Sequence, residues 1–139
     1  MGYFIADEIN IHQRMGAGDD WVLDEPVGYV STEHSLLIRA PKGFVTDFAS
    51  VPWFARRLIP RTGKYNGAAI IHDFLYRCTT MPRAICDDIF LEAMKDLRVA
   101  TWRRNLMYAG VRIGGGAARN QVNPNLTCPK GGFVVPTYP

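Results

Sequence analysis

The sequence predicts an α+β protein: a small N-terminal antiparallel β meander, then three helices, then an extended C-terminal arm. Three observations carry that expectation. Short β-like runs broken by turn residues fill the stretch from Trp21 to Thr46. After Ser50, apolar residues recur at helical intervals. From Gly114 onward glycine, proline and asparagine dominate. At 139 residues the chain has single-domain length and can bury a core without metal or cross-links. The composition divides it into one α+β domain over residues 1–115 and a Gly/Pro-rich arm over residues 116–139.

The first 20 residues are mixed, with Gly16-Ala17-Gly18-Asp19-Asp20 reading as a turn. Val27 to Ser31 and Leu36 to Arg39 are the candidate strands, set between Glu25-Pro26 and the turn Pro41-Lys42-Gly43. Val51 to Ile59 suits a short helix with Pro52 in its first turn, where the missing N–H is harmless. Gly67 to Thr79 places Ala68, Ala69, Ile71, His72, Leu75 and Tyr76 at helical spacing. A turn at Thr80-Met81-Pro82 opens a second helix reaching Arg98, with Ile85, Ile89, Leu91, Met94 and Leu97 largely on one side. Thr101 suits the cap of a third helix through Leu106, Tyr108, Ala109 and Ile113, which Gly114-Gly115-Gly116 is expected to end. The short connections favour antiparallel packing. The arm has few positions able to line a core, so a neighbouring subunit or partner is expected to hold it, with packing on its own domain as the alternative.

A hydrophobic fraction of 47% and a charged fraction of 21% exclude wholesale disorder. No apolar run approaches the roughly 18 residues of a spanning helix, and the first residues lack a secretory pattern. Synthesis in a cytoplasm, with no signal peptide and no transmembrane segment, is the expectation. A net charge of +3 is too small to argue for nucleic acid. Arg56, Arg57, Arg61, Arg98, Arg103, Arg104, Arg112 and Arg119 form no dense block and read as solvated helix faces. DNA binding through Arg98, Arg103, Arg104 and Arg112 is a minor reading with a steep salt dependence. Cys78, Cys86 and Cys128 are odd in number and lack metal-site spacing, so they read as free thiols of a reducing compartment.

The chemistry concentrates in Thr46-Asp47-Phe48-Ala49-Ser50, in His72-Asp73-Phe74-Leu75-Tyr76-Arg77 and in Asp87-Asp88. A histidine and a carboxylate flanked by Ile70, Ile71, Phe74 and Leu75 need partners, because burying polar groups alone is costly. His72 and Tyr76 share a helix face at i, i+4, while Asp73 points about 100° away. If the next helix returns antiparallel, Asp87 comes level with His72 and Tyr76. Asp73 and Asp47 would remain free to grip a hard cation through oxygen. Against this stand plainer readings. His72 and Asp73 also suit a polar cluster that pins two helices, and Asp47 suits a turn or cap before Pro52. Trp53, Phe54, Trp102, Met94 and Met107 read as core or lid, and His12 and His34 as surface residues.

His72-Asp73-x-x-Tyr76 resembles the active-site helix of the phospholipase A2 superfamily. Similarity is closer to its short bacterial and fungal branch, where His-Asp-Phe-x-Tyr-Arg precedes a helix of the form Arg-x-x-Asp-x-x-Phe-x-x-x-Met. Here those residues are His72 to Arg77, then Arg83, Asp87, Phe90 and Met94. A third pattern, Tyr-x-x-Val-Arg/Lys-Ile, is met by Tyr108 to Ile113. Gly43 to Pro52 (Gly-Phe-x-Thr-Asp-Phe-Ala-Ser-Val-Pro) and Ala68 to Tyr76 also resemble an uncharacterised family common in bacteriophage genomes.

The resemblance implies a phospholipase A2-like three-helix core. It implies His72 as general base, Asp87 orienting its imidazole and Tyr76 holding Asp87. It also implies calcium held by Asp47, Asp73 and the Phe48 carbonyl, with Asp88 a surface or capping group. The function implied is a phage-encoded, virion-associated, calcium-dependent lipid or ester hydrolase acting on the host envelope. The alternative is a non-catalytic component of a phage tail, neck or baseplate. Partners would be other phage structural proteins, through the arm, and host membrane lipid.

Overall fold

A computed structural model describes residues 1–5, 8–13, 21–46, 65–120 and 128–138. The architecture is α+β, with antiparallel strands in two sheets, then three helices, then a C-terminal strand. In chain order the elements are β1 (Tyr3–Phe4), β2 (Ile11–Gln13), β3 (Trp21–Leu23), β4 (Val27–Ser31), β5 (Leu36–Ala40), β6 (Val45–Thr46), α1 (Asn66–Cys78), α2 (Arg83–Asp96), α3 (Thr101–Asn120) and β7 (Phe133–Pro136). One sheet runs β1-β4-β5-β7 and the other β2-β3-β6.

The central hairpin follows from period-2 alternation. Val27, Tyr29 and Ser31 of β4 point inward, as do Ile38 and Ala40 of β5, while Arg39 faces water. Tyr29 pairs with Ile38 across the ladder, and both are fully buried. The turn Pro41-Lys42-Gly43 is present, and Gly43 takes φ +86°, a left-handed value that suits glycine. The two predicted strands thus form at their predicted places, and short strands from the mixed N-terminal residues extend both sheets.

α1 packs against β4, β5 and β6, and α2 lies between α1 and α3. Every residue of α1 from Gly67 to Tyr76 is buried. Such a helix is central to the fold. A Cβ at Gly67 would press on the Phe4 ring at 3.0 Å, so glycine lets α1 approach β1 closely. At its end Thr79 turns extended and its hydroxyl donates back to the Leu75 carbonyl at 2.5 Å. α2 closes with Arg98 at φ +57° while the Val99 N–H bonds the Met94 carbonyl.

Two carboxylates of α2, one buried and one half-buried, bind it to the hairpin. Glu92 accepts from the Ser31 hydroxyl at 2.6 Å and from the N–H groups of Thr32 and Glu33 at 3.1 and 3.3 Å. One turn further on, Asp96 accepts from the Tyr29 hydroxyl at 2.5 Å. Burial, then the bond to Asp96, pushes the Tyr29 phenol above its ordinary value.

Three expectations need correction. Cys78 and Cys128 form a disulfide and are not free thiols; Cys86 is free and buried. Cysteine spacing could not show this, because the bridge depends on the chain returning to the end of α1 after 50 residues. α3 does not stop at Gly114-Gly115-Gly116 but continues to Asn120. Glycine lowers helix propensity, yet it keeps its N–H and does not break the ladder as proline does. The expected arm is in part a strand of its own domain: β7 pairs antiparallel with β5, Val134 opposite Ile38 and Phe133 opposite Arg39. The short helix expected over Val51 to Ile59, with Trp53 and Phe54, lies outside the described residues. Among the described residues no helix is long and apolar enough to cross a membrane.

Candidate active site

α1 sets His72 and Tyr76 one turn apart on the face turned to α2. α2 returns across it and brings in Asp87. His72 Nε2 lies 2.8 Å from Asp87 Oδ1, and the Tyr76 hydroxyl donates to the same oxygen at 2.5 Å. The expected trio of His72, Tyr76 and Asp87 is therefore assembled, at 3% exposure for His72 and 0% for Asp87. The imidazole is stacked as well as hydrogen-bonded. Its centroid is 4.1 Å from the Tyr76 ring and 4.7 Å from the Phe90 ring, at tilts of 42° and 32°.

Asp87 has a further partner that sequence reasoning placed elsewhere. From α3, Arg112 Nη1 donates to Asp87 Oδ2 at 2.8 Å, although Arg112 read as a solvated or nucleic-acid-facing residue. Arg83, one turn before Asp87, holds its Nε 3.8 Å from Oδ2. Two signals pointed here. A buried carboxylate offers about four acceptor sites, more than one imidazole and one phenol fill. The spacing of Arg83 and Asp87 is also the i, i+4 of a helical ion pair.

Burial by itself would raise the Asp87 carboxyl. The bonds from His72, Tyr76 and Arg112 outweigh it and hold the group below its ordinary 3.8. Asp87 is thus an ionised acceptor, so the bond to His72 places the ring proton on Nε2. With Nε2 as the donor to Asp87, the lone pair of a neutral ring would be on Nδ1. Burial, then the bond to Asp87, raises the Tyr76 phenol, which stays a neutral donor.

Asp73 points to a different neighbour, as its position on the helix required. Its Oδ2 accepts from the Thr46 hydroxyl at 2.5 Å, in a buried contact between α1 and β6. Asp47 and Phe48, the other expected cation ligands, lie outside the described residues. Among the described residues no group of three His, Cys, Asp or Glu side chains could hold a metal ion. Asp88 is a half-exposed surface group, 3.4 Å from the Tyr108 hydroxyl and 3.9 Å from His34 Nε2. His12 is also at the surface, paired with Asp24 at 2.6 Å. A cleft of about 740 Å³ runs along the first sheet past Ile5, Glu25, Gly28, Leu37, Arg39 and Phe133, and none of the site residues lines it.

The chain is thus an α+β protein with a buried histidine bonded to a carboxylate on its central helices. Over residues 21–111 the chain matches the family described as Protein of unknown function (DUF1353), and it belongs to that family. The matched span includes His72, Asp73, Tyr76 and Asp87 and stops one residue before Arg112. No curated protein and no solved structure matches the chain.

Proposed function

We propose that the protein is a phospholipase A2-like hydrolase of lipid or other esters, phage-encoded and carried in the virion to act on the host envelope. The observation that carries this reading is the 2.8 Å contact between His72 Nε2 and an ionised, buried Asp87 that Tyr76 also holds. In that arrangement the ring is held in a fixed orientation, with Nδ1 as the base. In the reaction, Nδ1 takes a proton from water as the water oxygen attacks the ester carbonyl carbon. Asp87 steadies the imidazolium, and the same proton then passes to the departing alkoxide. The products are one carboxylic acid and one alcohol.

The donors fit a hard cation such as calcium. Asp73 and Asp47 would supply carboxylates and Phe48 a carbonyl, all oxygen. Thr46, the residue before Asp47 in the chain, donates its hydroxyl to Asp73. When bound, the cation's contribution would be to polarise the ester carbonyl and offset negative charge on its oxygen. The virion setting rests on the resemblance of Gly43 to Pro52 and Ala68 to Tyr76 to the phage family. The Cys78–Cys128 bridge supports it, since such bonds persist in oxidising surroundings outside a cytoplasm.

The test is release of fatty acid from labelled bacterial phospholipid, with calcium or chelator. Calcium-dependent release is expected from the native chain and should be lost in His72→Ala and Asp73→Asn. A second reading keeps the site as a polar pin in a non-catalytic tail, neck or baseplate component. The near-complete burial of His72 favours it. Folded native chain that releases nothing, alone or in intact particles, would move the weight to that second reading.

A further inference from the structure

Arg112 stands where α2 and α3 grip each other in both directions. From α2, Arg83 Nη2 donates to the carbonyl oxygens of Val111, at 3.4 Å, and of Arg112. From α3, the Arg112 side chain donates back to Asp87 on α2. An arginine side chain 39% exposed is ordinarily free to move, at a cost in entropy when it is held. Here its main chain is clamped by one partner and its head by another.

The two oxygens of Asp87 are divided between helices. Oδ1 serves His72 and Tyr76, both on α1, and Oδ2 serves Arg112 on α3. A carboxylate turns readily about its Cβ–Cγ bond, where the torsional wells are broad. Its plane is therefore set by its donors. Without Arg112, the nearest cation to Oδ2 among the described residues is Arg83, whose Nε at 3.8 Å is beyond hydrogen-bond reach. A buried carboxylate oxygen without a donor is costly, so the group would swing toward Arg83. That rotation carries Oδ1 away from Nε2.

We propose that Arg112 is a positioning residue: by holding Oδ2 it fixes the plane of the Asp87 carboxylate and, through Oδ1, the tautomer and orientation of the His72 ring. Only the catalytic consequence rests on the hydrolase reading; the positioning is a property of the resting protein. A planar guanidinium donates along a fixed fork, whereas lysine would restore the charge with a point donor and only part of the alignment.

The experiment uses the full chain with nitrogen-15 in its imidazoles. The native spectrum should show His72 as the Nε2–H tautomer with a slowly exchanging, downfield Nε2 proton. Arg112→Met should lose that proton signal and mix the tautomers, and Arg112→Lys should recover it in part. Should Arg112→Met fail to fold, Arg112→Gln takes its place with the same expected loss. On phospholipid, kcat should fall about tenfold to a hundredfold with KM little changed, as for a small misplacement of a reacting group. An unchanged tautomer and proton signal in Arg112→Met, or in Arg112→Gln where it takes its place, overturns the proposal, even if the melting temperature falls. Loss of the signal in a protein whose native form hydrolyses no ester upholds the positioning and rejects the hydrolase reading.

Discussion

Asp87 is one carboxylate answering to three helices, and its charge state contributes to the molecule's response to acid. Its folded value is depressed, so it contributes stability above the unfolded value of 3.8 that is lost as pH falls through the lower folded value. Tyr29 and Tyr76 act at the other end. Their folded values are raised, so their contribution is complete below the unfolded value of 10.0 and declines as pH climbs above it. Urea midpoints measured across pH should therefore fall below about pH 4 and again above about pH 10. Asp87→Asn should flatten the acid limb. In the hydrolysis assay the same variant should lower kcat about a thousandfold or more, because an amide can stabilise the wrong tautomer of His72. The pairing of His72, Tyr76 and Asp87 was legible in the sequence because helical spacing is a local property. Arg112 was not, because the approach of α3 to Asp87 depends on how α2 and α3 pack.

Among elements, α1 and α2 could be placed from apolar periodicity and from Pro82, and β4 and β5 from alternation between turn residues. The extent of α3 and the fate of the tail could not. The first turned on a glycine triplet whose N–H groups still serve a helix. The second turned on an edge strand of four residues that pairs with β5, a neighbour almost a hundred positions earlier in the chain. The bridge behind that strand has a measurable effect. Closing a loop of 50 residues removes unfolded-state entropy worth about 4 kcal/mol in the chain-entropy account. Cys128→Ser should lower the unfolding free energy by up to that amount, read from urea curves with the native chain under non-reducing conditions. Glu92 ties α2 to the β4–β5 turn through four hydrogen bonds. Glu92→Ala should cost about 3 kcal/mol, since it leaves the buried Ser31 hydroxyl and two turn N–H groups without their acceptor. The far-ultraviolet circular dichroism should stay close to native.

For the molecule as a whole, fold class was readable because runs of strands followed by runs of helices are a pattern in composition and period. The pairing of the two sheets was not, since β1 and β7 are too short to carry a period. Their position has a consequence for biosynthesis. β1 and β7 come from opposite ends of the described chain yet flank the same two central strands. While the polypeptide is being made, the hairpin and helices can collapse, but β5 keeps a bare edge until residues 133–136 have emerged. Contacts of such long sequence separation form slowly. A nascent chain held at residue 120 would expose that edge, together with the surface that Val134 covers, to other chains or to a holding chaperone. A vulnerable interval thus lies between the emergence of residue 120 and that of residues 133–136, when His72, Tyr76, Asp87 and Arg112 have all been made and the sheet beneath them is still open.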